Sequence, residues 1–221
     1  MNTVEIPRPA STQASTENSP AFAQARPDNL SPFAQARQAM IDSQLRTSGV
    51  NADYVLRRMG EVAREDYVPA AVRDIAYIDR AIALESGGFL PAPLVQGMLL
   101  QEADPSAHDH AIVVDSSGYL AELLRPLVAS LTVLSPADAA AGGQEGQSAS
   151  LLLIDGAAEE LPANLLARLA DGARIVTGTV DGGITRIAVG RKTASGAALM
   201  PVLDAGIPRI SAFDKPKGWS F

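Results

Sequence analysis

The chain has 221 residues, enough for one domain of ordinary size and a tail. Hydrophobic residues make up 47% and charged residues 19%, which suffices for one sizeable core. The formal net charge of -7, without a lysine/arginine cluster, argues against nucleic acid or an anionic membrane as a partner. Because cysteine is absent, disulfides, thiolate metal ligands and thiol nucleophiles are excluded, and a reducing cytoplasm is the expected location.

Residues 1–30 are predicted to form a disordered polar tail, because they are rich in Ser, Thr, Pro, Gln and Asn. They lack the basic start and apolar run of a signal peptide, and no later run is long enough for a membrane helix, so we expect a soluble protein. The pentapeptide FAQAR occurs at residues 22–26 and again at 33–37. We interpret the repeat as a local duplication, although the first copy could imitate the second at a docking surface.

Residues 31–104 have the pattern of an N-terminal helical region. Ser31-Pro32 is a good helix start, and the pattern continues to Leu45. A second helix is predicted from residue 51 or 52 to 62, and a third from 94 to 101. The stretch between the second and third helices is predicted to be short and irregular, because prolines interrupt it.

Residues 105–221 alternate between apolar strands and helical segments. Strands are predicted at 111–115, 131–134, 151–154 and 174–177, helices at 118–127 and 162–169, and a terminal hairpin at 184–189 and 198–203. Strands that alternate with helices form parallel sheets, whereas a hairpin is antiparallel. The sequence therefore predicts an α/β fold with a mostly parallel sheet and an antiparallel C-terminal edge.

Several segments resemble the protein-L-isoaspartate O-methyltransferases. They are residues 40–46 (MIDSQLR), 62–69 (VAREDYVP), 76–81 (AYIDRA), 154–162 (IDGAAEELP) and 165–176, together with 213–216 (FDKP). The resemblance covers residues 33–221, and the order and spacing of the segments make it fairly specific. It implies a Rossmann-like fold that binds S-adenosylmethionine (SAM). The implied reaction is attack of an isoaspartyl carboxylate on the SAM methyl group, which begins the repair of aged proteins.

The first feature of the family's cofactor site is a glycine loop, D-x-G-x-G-x-G-Y. The matching run here is Asp115-Ser116-Ser117-Gly118-Tyr119, three residues shorter and with one glycine left. The resemblance makes Asp115, Ser117, Gly118 and Tyr119 candidate remnants of the cofactor site. The alternatives are a contracted SAM site and a plain strand-to-helix turn, and we favour the turn.

The ribose and adenine sides of the site also depart from the family. The second strand is followed by Ser135 rather than an acid, and Asp138 is expected to cap a short helix; Ser135 and Asp155 are the remaining cofactor candidates. Only residues 135–150 separate the second and third predicted strands, and one parallel crossover needs about a dozen residues. We therefore predict a fold abbreviated between the family's strands two and four, without the edge strand that carries the adenine contacts.

The substrate side retains part of the family's G-x-T-x-S-x-P motif. In residues 87–93 (GGFLPAP), Phe89 and Pro91 replace Thr and Ser. The resemblance makes Gly87, Gly88, Pro91 and Pro93 the candidate substrate residues, and it identifies no catalytic residue. The run His108-Asp109-His110 could offer metal ligands, but no further His or Cys supports it, so we predict a solvated loop and no metal.

These losses lead to a functional hypothesis with two competitors. We expect a pseudoenzyme of the family, with SAM binding and catalysis weakened or lost, that acts as a non-catalytic binding module. The first competitor is an active SAM-dependent carboxyl methyltransferase with a contracted pocket, and the second is an interaction subunit. The cofactor is SAM if the chain is active and none otherwise. The partner is a protein, as substrate or as binding partner, and the sequence leaves the oligomeric state open.

Overall fold

The computed structural model describes residues 31–141 and 148–215. The predicted disordered tail and the first FAQAR copy lie outside these residues, as does most of the glycine-rich stretch before Ser148. Within the described residues, no helix is long and apolar enough to cross a lipid bilayer.

The three predicted N-terminal helices are confirmed. Helix α1 is Pro32–Met40 and begins where the Ser31 hydroxyl accepts a hydrogen bond from the Ala34 N–H at 3.2 Å. It continues through one π-helical turn, Ile41–Leu45. Helix α2 is Asp53–Glu61 and helix α3 is Pro93–Ala103.

The segment between α2 and α3 is irregular, as predicted, but it also contains a small hairpin. Two 3₁₀ turns, Arg64–Tyr67 and Ala70–Ile75, precede strands β1 (Ile82–Ala83) and β2 (Phe89–Leu90), which pair antiparallel. We did not predict this hairpin, because strands of two residues show no alternation of apolar and polar positions.

The main sheet has six strands in the order β4-β3-β5-β6-β7-β8. β4, β3, β5 and β6 run parallel, whereas β7 and β8 continue antiparallel from β6. The predicted fold class is thus confirmed. The strands are β3 His110–Val114, β4 Ser130–Leu134, β5 Ala149–Ala158, β6 Leu169–Asp181, β7 Ile184–Thr193 and β8 Gly196–Asp204.

Three short helices connect the parallel strands: α4 Tyr119–Leu124, α5 Pro136–Ala141 and α6 Ala163–Leu166. Helix α6 is shorter than predicted because Leu169 already pairs with Ala149 in the sheet. In the described part of the crossover from β4 to β5, α5 is the one regular element, and β4 is an edge strand of the sheet. This arrangement agrees with the predicted abbreviation.

The hydrophobic core lies on both faces of the parallel strands. Val113, Leu151 and Leu153 are buried on the face that carries α1 to α4. Their neighbours in the same strands, such as Ile112 and Leu152, are buried on the opposite face with α5, α6 and Phe213. Because successive side chains of a strand alternate between faces, the continuous apolar runs of β3 and β5 are explained by a sheet covered on both sides.

Asp109, which precedes β3, is bonded to residues of β5 and β6. Its carboxylate accepts hydrogen bonds from the Ser150 hydroxyl at 2.7 Å and the Ser106 N–H at 2.8 Å, and it pairs with Arg174. The prediction of a solvated loop holds for His108, which is exposed, but not for the other two residues: His110 is exposed but begins β3, and Asp109 is buried. Burial opposes ionisation, but the hydrogen bonds and the Arg174 charge outweigh it and lower the pKa of Asp109.

Replacing this carboxylate should cost stability in a pH-dependent way. A lowered folded-state pKa means that ionised Asp109 stabilises the fold above pH ~4, and that the stabilisation is lost as the pH falls through the folded-state pKa. We expect Asp109→Asn to lower the free energy of unfolding by about 1–3 kcal/mol at pH 7 and by less near pH 3. Urea unfolding followed by circular dichroism measures both, with exposed Asp74→Asn as control. An Asp109→Asn variant as stable as wild type at pH 7 would contradict this role.

Candidate functional site

A cavity of about 520 Å³ lies at the carboxyl ends of β3, β4 and β5. The chain leaves β3 for β4 on one side and returns to β5 on the other, so the strand order reverses at β3. Open α/β sheets bind ligands at such switch points, because the loops diverge there and leave a crevice. The sheet therefore places this cavity where a binding site is expected.

Five parts of the chain form the cavity wall. Asp115 and Ser116 follow β3, Ser135 to Ala137 follow β4, and Asp155 belongs to β5. The turn between β1 and β2, Ser86 to Phe89, forms a further wall. The remaining wall is Pro208 to Ala212, which we call the C-terminal strap.

The C-terminal strap is fixed to β5 by backbone hydrogen bonds. The Ala157 N–H donates to the Pro208 carbonyl, and the Ile210 N–H donates to the Ala157 carbonyl, each at 2.8 Å. A Cβ atom on Gly156 would lie 2.6 Å from Cγ1 of Ile210, so only glycine lets the strap approach β5 this closely. Sequence analysis missed the strap, because its position depends on these contacts with a distant strand.

Asp115 is occupied by the turn that follows β3. Its Oδ1 accepts hydrogen bonds from the Ser117 N–H at 2.7 Å, the Ser117 hydroxyl at 2.9 Å and the Gly118 N–H at 2.9 Å. Its Oδ2 accepts from the Ala121 N–H at 3.0 Å. The carboxylate thus acts as a helix cap, because it accepts hydrogen bonds from N–H groups at the start of α4 that have no partner within the helix.

The other three cofactor candidates in this turn do not line the cavity. Ser117 and Gly118 are held inside the turn, and Gly118 has a positive φ of 83° at the start of α4. Tyr119 is fully buried, with its ring 5.3 Å from the Tyr67 ring in an edge-on contact. The guanidinium of Arg64 lies 5.1 Å above the Tyr119 ring. Of the candidates predicted from this turn, Asp115 alone faces the cavity.

Ser135 lines the cavity but is also engaged in a cap. Its hydroxyl donates to Oδ2 of Asp138 at 2.7 Å and accepts from the Asp138 N–H at 3.1 Å. Asp138 therefore belongs to the start of α5, as predicted for a residue that caps a short helix, and it does not line the cavity.

The four substrate candidates are split between two places. Gly87 and Gly88 line the cavity, with φ of 89° and 78° in the turn between β1 and β2. A Cβ atom on Gly88 would lie 2.8 Å from Oγ of Ser116, so this turn rests directly on the turn that follows β3. Pro91 and Pro93 are buried outside the cavity wall, and Pro93 begins α3.

Asp155 has one satisfied and one unsatisfied carboxyl oxygen. Its side chain is 5% exposed, and Oδ2 accepts a hydrogen bond from Nε2 of Gln96 at 2.7 Å. No group in the described residues bonds to Oδ1. Burial raises the pKa of Asp155 well above its ordinary value, and the charge of Asp115 adds to this; Gln96 and the Arg64 charge oppose it without outweighing it.

Hydrogen bonds connect Asp155 to Gln96 and Gln96 to Arg64. Sequence analysis predicted neither Arg64 nor Gln96 as part of the site. The fully buried Arg64 guanidinium donates to the Ala76 carbonyl at 2.7 Å, to the Pro91 carbonyl and to Oε1 of Gln96. Gln96 then donates to Asp155. We call this chain the Arg64–Gln96–Asp155 relay. Arg64 lies in the VAREDYVP segment that carries the family resemblance, whereas no pattern in the sequence singles out Gln96.

Comparisons with known proteins agree with this architecture. The model of the family described as protein-L-isoaspartate(D-aspartate) O-methyltransferase matches residues 35–135. The protein-L-isoaspartate O-methyltransferase of Protochlamydia amoebophila is 23% identical over 162 residues, which cover 62% of this chain and 77% of the relative. That of Koribacter versatilis is 29% identical over 162 residues, which cover 62% and 73%.

A solved structure shows the same fold. The protein-L-isoaspartate O-methyltransferase structure from Plasmodium falciparum, in complex with S-adenosyl-L-homocysteine, superposes with a TM-score of 0.64 at 15% identity. The superposition covers 83% of this chain and all of that one. The family model and the curated relatives support membership of the protein-L-isoaspartate O-methyltransferase family. The family model stops at Ser135, the residue after β4, where the abbreviated crossover of this chain begins.

The buried carboxyl of Asp155 should reduce stability at neutral pH. A raised folded-state pKa means that folding retains a proton that the unfolded chain releases above pH ~4, so stability falls as the pH rises towards the folded-state pKa. Asparagine cannot ionise. We therefore expect Asp155→Asn to resemble wild type near pH 4 and to become the more stable protein as the pH rises, by up to about 1.4 kcal/mol per pH unit. Urea unfolding between pH 4 and 8 measures the difference, and a constant difference across this range would contradict the raised pKa.

Proposed function

We propose that this family member has lost productive SAM binding and acts as a non-catalytic binding module, a pseudoenzyme. The observation that carries the proposal is the contact between Gly88 and Ser116, because it closes the turn that would cradle the cofactor. The N–H groups of Ser117 and Gly118, which a glycine loop would offer to a ligand, point instead at the Asp115 carboxylate.

The ribose side supports the same proposal. After β4 the chain offers Ser135 and Asp138, which bond to each other in the cap of α5. Binding of ribose hydroxyls by Asp138 would require breaking this cap and moving its carboxylate towards the cavity, where it does not lie.

The adenine side supports it as well. β4 is an edge strand, and the described part of the following crossover holds the six residues of α5. Since the side chains present do not fit SAM on any of its three parts, we derive no methyl-transfer step for this cavity.

A second candidate function is an active SAM-dependent carboxyl methyltransferase with a contracted pocket. The observation that favours it is the cavity itself, whose volume of about 520 Å³ lies in the range of small-molecule sites and which sits at the switch point of the sheet. In this case the acceptor would be an isoaspartyl carboxylate in a damaged protein. Under either function we propose a protein as the partner and the cytoplasm as the location.

Titration with the cofactor separates the two functions. We expect no heat of binding with SAM or S-adenosylhomocysteine at concentrations up to about 1 mM. This limit corresponds to a binding free energy weaker than about 4 kcal/mol. We also expect no transfer of a radiolabelled methyl group to an isoaspartyl peptide. The Protochlamydia amoebophila relative is the positive control, and the matching aspartyl peptide is the substrate control. Binding of either compound at micromolar affinity would overturn the proposal in favour of the second function.

A further inference from the structure

The cavity contains a polar atom that the protein leaves without a partner. Asp155 lines the cavity and is 5% exposed, and no hydrogen bond reaches its Oδ1 within the described residues. Oδ2 of the same carboxyl is held by Gln96 at 2.7 Å, so the group is oriented and cannot simply rotate to exchange its oxygens. Most buried polar atoms in proteins are satisfied, so an exception in a residue of a cavity wall calls for an explanation, and a bound ligand is one.

The charges around this atom favour a cation. Asp115 is the second acid of the cavity wall, and its two oxygens are occupied by donors from the turn before α4. Arg209 is the one basic residue among the described residues that line the cavity. It is already paired with Glu159 and with Asp214, each at 2.6 Å. An anionic ligand would therefore face two acids without a free counter-charge.

The Arg64 charge does not replace a ligand cation. Its guanidinium donates to Gln96 and to two backbone carbonyls, and the Gln96 side chain lies between it and Asp155. Arg64 is thus linked to the carboxyl through Gln96, which donates to Oδ2 and not to Oδ1. Within the described residues, Oδ1 therefore has no donor from the protein, while Asp155 itself belongs to the cavity wall.

The rest of the cavity wall is suited to an apolar body. Phe89 is 42% exposed and lines the cavity together with Pro136, Pro208 and Ile210. An exposed aromatic face attracts both apolar groups and organic cations. The wall therefore combines one oriented acid with an aromatic and aliphatic surface.

We propose that the cavity binds a small organic ammonium ion, a primary amine with an apolar or aromatic body, whose N–H donates to Oδ1 of Asp155. The proposal rests on the proposed function, since it names the class of ligand that occupies the cavity in place of SAM. Where Asp155 is protonated before binding, its O–H bond breaks, the proton passes to the solvent, and the ammonium keeps its three hydrogens beside the resulting carboxylate. The aromatic or aliphatic body lies against Phe89 and the strap.

Isothermal titration calorimetry with benzylamine and benzyl alcohol tests this, because the two probes share a body and differ in charge. We expect wild type to bind benzylamine about tenfold or more tightly than benzyl alcohol at pH 8, as is typical of a charge-assisted hydrogen bond. The preference for benzylamine should decrease towards pH 5, because a proton then competes with the ammonium ion for the Asp155 carboxylate. The other charged groups near this carboxylate are Asp115 and Arg64. Asp155→Asn should abolish the preference at both pH values.

Two further variants are controls for the effect of Asp155→Asn on the affinity for the two probes. Phe89→Leu, at an exposed position, should weaken both probes while the preference for the amine persists. Asp74→Asn removes an exposed acid elsewhere and should change neither affinity. Circular dichroism verifies that Asp155→Asn is folded. Equal affinity for the two probes, no binding of either, or an amine preference retained in Asp155→Asn would each overturn the proposal.

The SAM titration remains a separate measurement on the same protein. Micromolar SAM binding would contradict the proposed function. The ammonium site would still be tested by the preference for the amine and by its loss in Asp155→Asn. Conversely, a protein that binds neither SAM nor benzylamine would retain the proposed function and lose the ammonium site.

Discussion

The structure around the cavity depends on the relay from Arg64 through Gln96 to Asp155. A fully buried guanidinium is costly unless its donors are satisfied, and Arg64 satisfies them with two carbonyls and the Gln96 side chain. The Ala76 and Pro91 carbonyls lie on either side of the β1–β2 hairpin in the chain, so the same side chain fixes both ends of the segment that carries the hairpin. Gln96 connects this group to β5 through Asp155. The relay therefore ties the N-terminal region to the carboxyl edge of the sheet.

The hairpin fixed in this way explains why the shortened turn after β3 is closed rather than open. Gly87 and Gly88 have the positive φ angles that bring the hairpin turn down onto Ser116. In this turn the Asp115 carboxylate accepts hydrogen bonds from the Ser117 and Gly118 N–H groups, which are therefore not offered to a ligand. The fold is unaffected, since the two buried clusters on either face of the sheet stabilise it, whereas the site consists of loops that can change independently.

The sequence predicted the elements whose signal is local. The apolar runs of β3 and β5 and the spaced apolar residues of α1 and α2 are properties of neighbouring residues, and the structure confirms them. The β1–β2 hairpin, the C-terminal strap and the Gln96 contact depend on residues distant in the chain, so no local pattern indicates them. Part of the site was predicted because its signal is also local: Asp155 follows an apolar run in the sequence, and it lines the cavity.

Tyr119 was expected in the site from its place in a motif, but the closed turn directs it into the core beside Tyr67. Under the two proposals above, the loss of SAM binding and the binding of an ammonium ion would share a physical cause. When the donors of the turn are directed at Asp115, that acid is satisfied from within the protein. Asp155 then remains, among the described residues of the cavity wall, as the acid with a free oxygen. In the proposed function, the cavity no longer offers these backbone N–H groups to a ligand and presents an acceptor instead, and an acceptor beside a second negative charge favours a donor that carries positive charge.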